Sequence, residues 1–97
     1  MPTRHATAVW QGPLRDGDGT FSGASGAVSG DYSFGSRFER GAGSSPEELL
    51  AAAQAACYSM ALSAALERAG TPAARVETRA ACTVERVADA FAITRMR

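Results

Sequence analysis

The feature that most constrains this chain is an uncharged run of 18 residues from Leu49 to Leu66. The residues before it are suited to starting a helix. Ser45 can cap it, Pro46 suits the first helical position, and Glu48 completes a capping box. Gly70 is suited to ending it because glycine accepts the left-handed conformation of a helix stop. The pattern predicts one long helix that begins at Pro46 and ends at about residue 69.

This run reaches the lower limit of length for a membrane span. It is mostly alanine, however, and it carries Gln54, Tyr58, Ser59 and Ser63. Alanine contributes little to insertion into a bilayer, and the polar groups oppose it. We therefore expect no membrane association and a buried central helix, packed against another subunit.

The first third of the chain is predicted to be β-structure. Residues 6–10 and 19–22 have strand patterns, and the sequence Asp16-Gly17-Asp18-Gly19 between them favours a tight turn. We expect a hairpin or a small meander. Residues 32–39 form an aromatic cluster that predicts a short strand or a structured approach to the helix.

Residues 76–87 have the pattern of another strand, and residues 91–96 that of its hairpin partner, joined by residues 88–90. The predicted fold class is therefore α+β, with an N-terminal meander, a long helix and a hairpin. We expect residues 1–97 to form a single domain. The strand pattern reaches the last residue, from which we expect the chain to be truncated at its C-terminus.

Composition excludes several classes of function. Ten basic residues balance ten acidic ones, so nothing favours a nucleic acid or an anionic membrane as partner. The two cysteines have no disulfide-like spacing, which is typical of a reducing, cytoplasmic location. With a single histidine, His5, and no ligand-like spacing, we expect no metal site.

Cys57 has two interpretations. It can be a small buried hydrophobe, or a reactive thiolate that Arg37 activates and Glu47 helps to orient. Ten residues separate Glu47 from Cys57, which is about 15 Å of helical rise and about 80° of rotation. One helix cannot bring the two together, so either Arg37 bridges part of the gap or Glu47 comes from a second copy. Cys82, in a strand pattern, is expected to pack or to be incidentally exposed, without a chemical role.

The sequence around Cys57 resembles the OsmC/Ohr family, and its OsmC branch in particular. The resemblance is carried by residues 45–53 and 55–63, which read SPEELLAAA and AACYSMALS. Residues 9–12, 32–34, 37–39 and 91–94 add to it, so that it extends over essentially the whole chain.

The resemblance implies an OsmC-like fold and an intertwined homodimer with shared active sites. It implies a cytoplasmic, thiol-dependent peroxidase of oxidative and osmotic stress defence that reduces organic hydroperoxides and, less well, hydrogen peroxide. Cys57 matches the peroxidatic cysteine, Arg37 the activating arginine and Glu47 the carboxylate that holds this arginine. We assign the substrate-binding surface to apolar side chains, namely Phe34, Phe38 and Met60. No cofactor is implied, and the reductant is expected to be a dithiol of the lipoyl type.

One departure concerns the second thiol. The family resolves its sulfenic acid with another cysteine on a later helix, and Cys82 does not match that position. We also expect the family's C-terminal helix and strands to be missing from this domain. Two alternatives to a peroxidase therefore stay open: a non-catalytic fragment, and a thiol redox sensor that is oxidised once.

Overall fold

The computed structural model describes residues 2–39, 41–87 and 90–96. It is an α+β structure, as predicted, with three strands, two helices and two further strands in chain order. The chain divides into two compact units, Met1–Pro46 and Glu47–Arg97, each of which is described here by itself. The single-domain organisation over residues 1–97 stays a prediction.

The first unit contains a three-stranded antiparallel sheet. Its strands are β1 (Ala6–Gln11), β2 (Asp18–Gly23) and β3 (Ser29–Tyr32), in that order across the sheet. The Asp16–Gly19 sequence supplies the end of the β1–β2 connection, and Gln11 pairs with Asp18. The predicted meander is confirmed.

Three aromatic rings cover one face of this sheet around a glycine. The centroids of Trp10 and Tyr32 are 5.5 Å apart, and those of Phe21 and Tyr32 are 6.1 Å apart. Gly19 pairs with both Trp10 and Tyr32 and is buried beneath their rings. A methyl group on Gly19 would lie 2.7 Å from a Tyr32 ring atom and 2.8 Å from a Trp10 ring atom. The missing side chain is therefore what lets the two rings meet.

A short helix, α1 (Phe34–Phe38), follows β3 directly. Ser33 caps it, with the Ser36 amide donating to Ser33 Oγ at 3.1 Å and the Ser33 amide donating to Ser36 Oγ at 2.7 Å. Because this capping box satisfies two amides at the helix start, it turns the chain out of the strand. The strand predicted as one alternative for residues 32–39 is wrong beyond Tyr32, and the structured approach is a helix.

The second unit is built on the long helix α2 (Pro46–Arg68), whose bounds agree with the prediction. Gly70 has a φ of 82° and ends the helix as expected. The Thr71 amide donates to the Leu66 carbonyl at 2.9 Å and the Gly70 amide to the Glu67 carbonyl at 3.0 Å. These bonds satisfy carbonyls that have no partner inside the helix.

A β-hairpin of β4 (Cys82–Val87) and β5 (Ala90–Met96) completes the unit. The hairpin confirms the prediction, but the strand expected from residue 76 begins only at Cys82. Residues 75–81 nevertheless alternate between half-buried and exposed side chains, as a strand would. In the described part of the chain no strand pairs with them, so the pattern alone does not make a sheet. The predicted link at residues 88–90 falls partly on residues 88 and 89, outside the described residues.

Little of the long helix is covered by its own unit. In α2 only Glu47 is buried, and no hydrophobic side chain is buried among those whose exposure the structure describes. The central burial expected for α2 is therefore not supplied by its own unit. An 18-residue window of α2 is also apolar enough, by composition and length, to cross a membrane.

The packing around Gly19 gives a direct test of the sheet. Gly19→Ala is expected to lower the free energy of unfolding by about 1–3 kcal/mol, because the added methyl overpacks the Trp10–Tyr32 contact. Gly23→Ala is the matched control in the same strand, since its added carbon would meet nothing closer than 3.7 Å. Urea unfolding measures both. Equal stability of the two variants would contradict the described packing.

Candidate active site

Three of the six residues predicted for the site lie together on α1. The rings of Phe34 and Phe38 are one helical turn apart, with centroids separated by 5.0 Å and planes tilted by 55°. The guanidinium carbon of Arg37 lies 5.0 Å from the centre of the Phe38 ring. All three side chains are half-buried. The structure thus groups the predicted activating cation with two predicted substrate-binding rings.

A fourth side chain joins this group and was not found from the sequence. Arg15, from the β1–β2 connection, lies with its guanidinium carbon 4.6 Å from the centre of the Phe34 ring. Nothing in the local sequence indicates this contact, since Arg15 lies 19 positions before Phe34 in a turn-rich segment. The sheet brings that turn to α1.

Cys57 and Met60 lie on one exposed face of α2. At about 100° per residue, Cys57 is within about 20° of Leu50 and about 60° of Met60. The Cys57 face, defined as Leu50, Ala53, Cys57 and Met60, is exposed at every position, and Met60 is 77% exposed. The thiol is therefore not buried in this chain, in contrast to the buried position considered from the sequence.

The opposite face of α2 is the one that its own unit partly covers. Ser59 and Thr78 share a hydroxyl–hydroxyl hydrogen bond of 2.6 Å, which joins the extended residues 75–81 to the helix. Ser59 lies about 160° around the helix from Cys57. Ala51, Ala55 and Leu62 on the Ser59 side are half-buried. Because residues 75–81 lie along the Ser59 side, they leave the Cys57 face open.

Glu47 occupies the first turn of α2 and is 5% exposed. A carboxylate is favoured there because the first turn carries the positive end of the helix dipole. About 15 Å of helical rise separates it from Cys57, so the two groups do not meet along one helix. Glu47 and Cys57 belong to the second unit and Arg37 to the first. Their meeting in one triad therefore stays a prediction.

Cys82 is half-buried at the start of β4, where it pairs with Met96. Both cysteines are free thiols. In residues 2–39, 41–87 and 90–96 no group of three His, Cys, Asp or Glu side chains could hold a metal ion.

A shallow cavity of about 390 Å³ opens beside β2 and β3 in the first unit. Its lining includes Asp18, Thr20, Asp31, Tyr32 and Ser33. None of the predicted site residues lines it. The two carboxylates that line this open cavity do not match the apolar surface expected for an organic hydroperoxide.

Comparisons with known proteins agree with the family resemblance that the residues around Cys57 indicate. A family model described as "OsmC-like protein" matches residues 39–97. Two curated relatives, each named "Peroxiredoxin OsmC", are 43% identical to the chain over 90 residues, one from Escherichia coli (strain K12) and one from Shigella flexneri. The match covers 92% of this chain and 63% of each relative, so the chain spans a little under two thirds of their length.

Proposed function

The chain belongs to the OsmC-like family, and on that premise we propose that it is a thiol-dependent peroxidase for organic hydroperoxides. Hydrogen peroxide is the poorer substrate in this proposal. The observation that carries it is Cys57, an accessible thiol on an uncharged helix face, inside the segment that the family model matches. The name of the two relatives, peroxiredoxin, supports the same chemistry.

The proposed reaction needs a thiolate and a proton. The Cys57 thiolate attacks one oxygen of the peroxide and the O–O bond breaks. The sulfur becomes a sulfenic acid, and the leaving alkoxide takes a proton to become an alcohol. Only the thiolate is a good nucleophile, and a nearby cation favours it.

Arg37 is the proposed source of that cation. Its planar guanidinium has donors on more than one edge, so that one edge can hold a carboxylate while another faces the sulfur. Glu47 is the proposed carboxylate. The apolar part of the hydroperoxide would lie against Phe34, Phe38 and Met60, the first two of which already form a paired aromatic surface.

We also propose that the chain functions as a homodimer with shared active sites. The open Cys57 face offers an apolar stripe along α2, and small side chains on this helix allow a second copy to approach closely. With two helices antiparallel, Glu47 of the partner subunit would move toward Cys57. In this arrangement the carboxylate near Cys57 comes from the other helix. It does not have to span the ten residues, about 15 Å of rise, that separate Glu47 from Cys57 in one chain.

Turnover requires a reductant for the sulfenic acid. We propose that this reductant is an external dithiol of the lipoyl type, one thiolate of which attacks the sulfenic acid. The proposal includes a soluble, cytoplasmic protein of oxidative and osmotic stress defence, without a cofactor. In it α2 is a core helix of the dimer, and the peroxiredoxin name of the relatives supports this over a membrane span.

Replacement of Arg37 tests the proposed activation. Arg37→Ala should slow oxidation of Cys57 by cumene hydroperoxide about tenfold to a hundredfold, because a lost charge-assisted contact costs about 1.5–3 kcal/mol. Arg37→Lys should recover only part of the rate, since lysine lacks the planar fork. Stopped-flow measurement of the first equivalent gives the rates. Arg75→Ala, at an exposed arginine of the second unit, is the control. A rate equal to wild type in Arg37→Ala would remove Arg37 from the mechanism.

Association of the chain tests the shared site. Sedimentation equilibrium at micromolar concentration should give a dimer. Met60→Glu should weaken it at least tenfold, because the charge would have to be desolvated on the Cys57 face. Ala65→Glu places the same charge about 140° away around α2 and should have a smaller effect. A well-folded monomer of the wild-type chain would refute the shared-site proposal.

A further inference from the structure

Four side chains of the first unit form a row of contacts with a cation at each end. Arg15 lies 4.6 Å from the Phe34 ring centre, Phe34 lies 5.0 Å from Phe38, and Arg37 lies 5.0 Å from the Phe38 ring centre. The two rings are half-buried, whereas Arg15 is exposed. Cation–π contacts of this kind hold the face of a guanidinium against a ring.

The Arg15 guanidinium retains its hydrogen-bonding capacity in this row of contacts. A cation–π contact does not use the N–H donors of a guanidinium in hydrogen bonds to other polar groups, so these donors can still bind a carboxylate in a bidentate manner. In the part of the chain that the structure describes, Arg15 makes no ion pair with a carboxylate. The sequence neighbour Asp16 is also exposed and does not neutralise it through an ion pair.

We infer that Arg15 is a specificity-determining residue that favours organic hydroperoxides carrying a carboxylate. This inference rests on the proposed function, in which Phe34 and Phe38 bind the organic part of the substrate. A ligand with an apolar body on the two rings would place an anionic end group against Arg15. Arg37, at the other end of the row, is instead the proposed cation that favours the Cys57 thiolate.

The expected preference is modest because Arg15 is exposed. Solvent-exposed ion pairs are weak and are screened by salt, although bidentate geometry strengthens them. We expect about a three- to tenfold preference for the acid at low ionic strength. At about 0.5 M NaCl the preference should largely disappear, since the screening length is then only a few ångströms.

The test compares 6-hydroperoxyhexanoic acid with its methyl ester, which lacks the negative charge and carries one added methyl group. The rate of Cys57 sulfenic acid formation is measured for each with the 97-residue chain. Arg15→Gln should lower the rate with the acid about three- to tenfold and leave the rate with the ester within about twofold. Arg15→Lys should keep part of the preference. Arg4→Gln, at an exposed arginine before β1, should change neither rate.

If Arg15→Gln lowers the rates with the acid and with the ester equally, the inference is overturned. Arg15 would then only hold Phe34 in place. Unchanged rates with both substrates would overturn it as well.

A second measurement does not depend on thiol chemistry. NMR titration with 6-hydroxyhexanoate, the alcohol product, should shift the Arg15 side-chain signal. The signals of Phe34 and Phe38 should lose their response in Arg15→Gln. A wild-type chain that binds this product but never oxidises Cys57 would contradict the proposed function while leaving Arg15 as the carboxylate site; no titration response would contradict the inference itself.

Discussion

The second unit depends on one constraint, the uncovered face of a 23-residue helix made largely of small side chains. A chain of 97 residues has limited apolar surface to bury, and in this one the described hydrophobic side chains remain at least partly exposed. The Ser59–Thr78 hydrogen bond ties one side of α2 to its own unit. What covers the Cys57 side therefore decides both the stability of the helix in solution and the surroundings of its thiol.

The first unit achieves local order by a different route. Gly19 allows Trp10 and Tyr32 to pack over the sheet, and the capping box at Ser33 and Ser36 turns the chain from β3 into α1. Five residues of helix are then enough to pack Phe34 against Phe38 and to bring Arg37 over the Phe38 ring. The groups proposed for substrate and thiolate recognition are thus held by short-range interactions that do not require a large core.

Much of this fold could be predicted because its signals are local. Pro46 and Gly70 mark the ends of α2, since each residue has a backbone preference that acts at its own position. The beginning of β4 could not be predicted in the same way. Residues 76–81 carry the alternation of a strand, but a strand also needs a neighbour, which a local pattern does not specify. The helix at residues 34–38 was missed because serine–serine capping is weaker as a sequence signal than the usual pairing with glutamate or glutamine.

The site could be predicted to a lesser extent. Cys57, Arg37 and Glu47 were identified by resemblance to the OsmC family, to which the chain belongs, and the grouping of Arg37 with Phe34 and Phe38 followed only from the structure. Arg15 required the fold, because the turn that carries it reaches α1 through the pairing of three strands. Contacts between distant segments depend on topology, and spacing in the sequence does not encode them.

The central claim is that the exposed thiol of α2, and not the half-buried thiol of β4, reacts with peroxide. Treatment with a small excess of cumene hydroperoxide in the presence of dimedone, followed by peptide mass spectrometry, tests it most directly. The account predicts the sulfenic acid adduct at Cys57, with Cys82 unmodified. An adduct at Cys82 with Cys57 untouched, or rapid formation of a Cys57–Cys82 disulfide in place of the adduct, would contradict it.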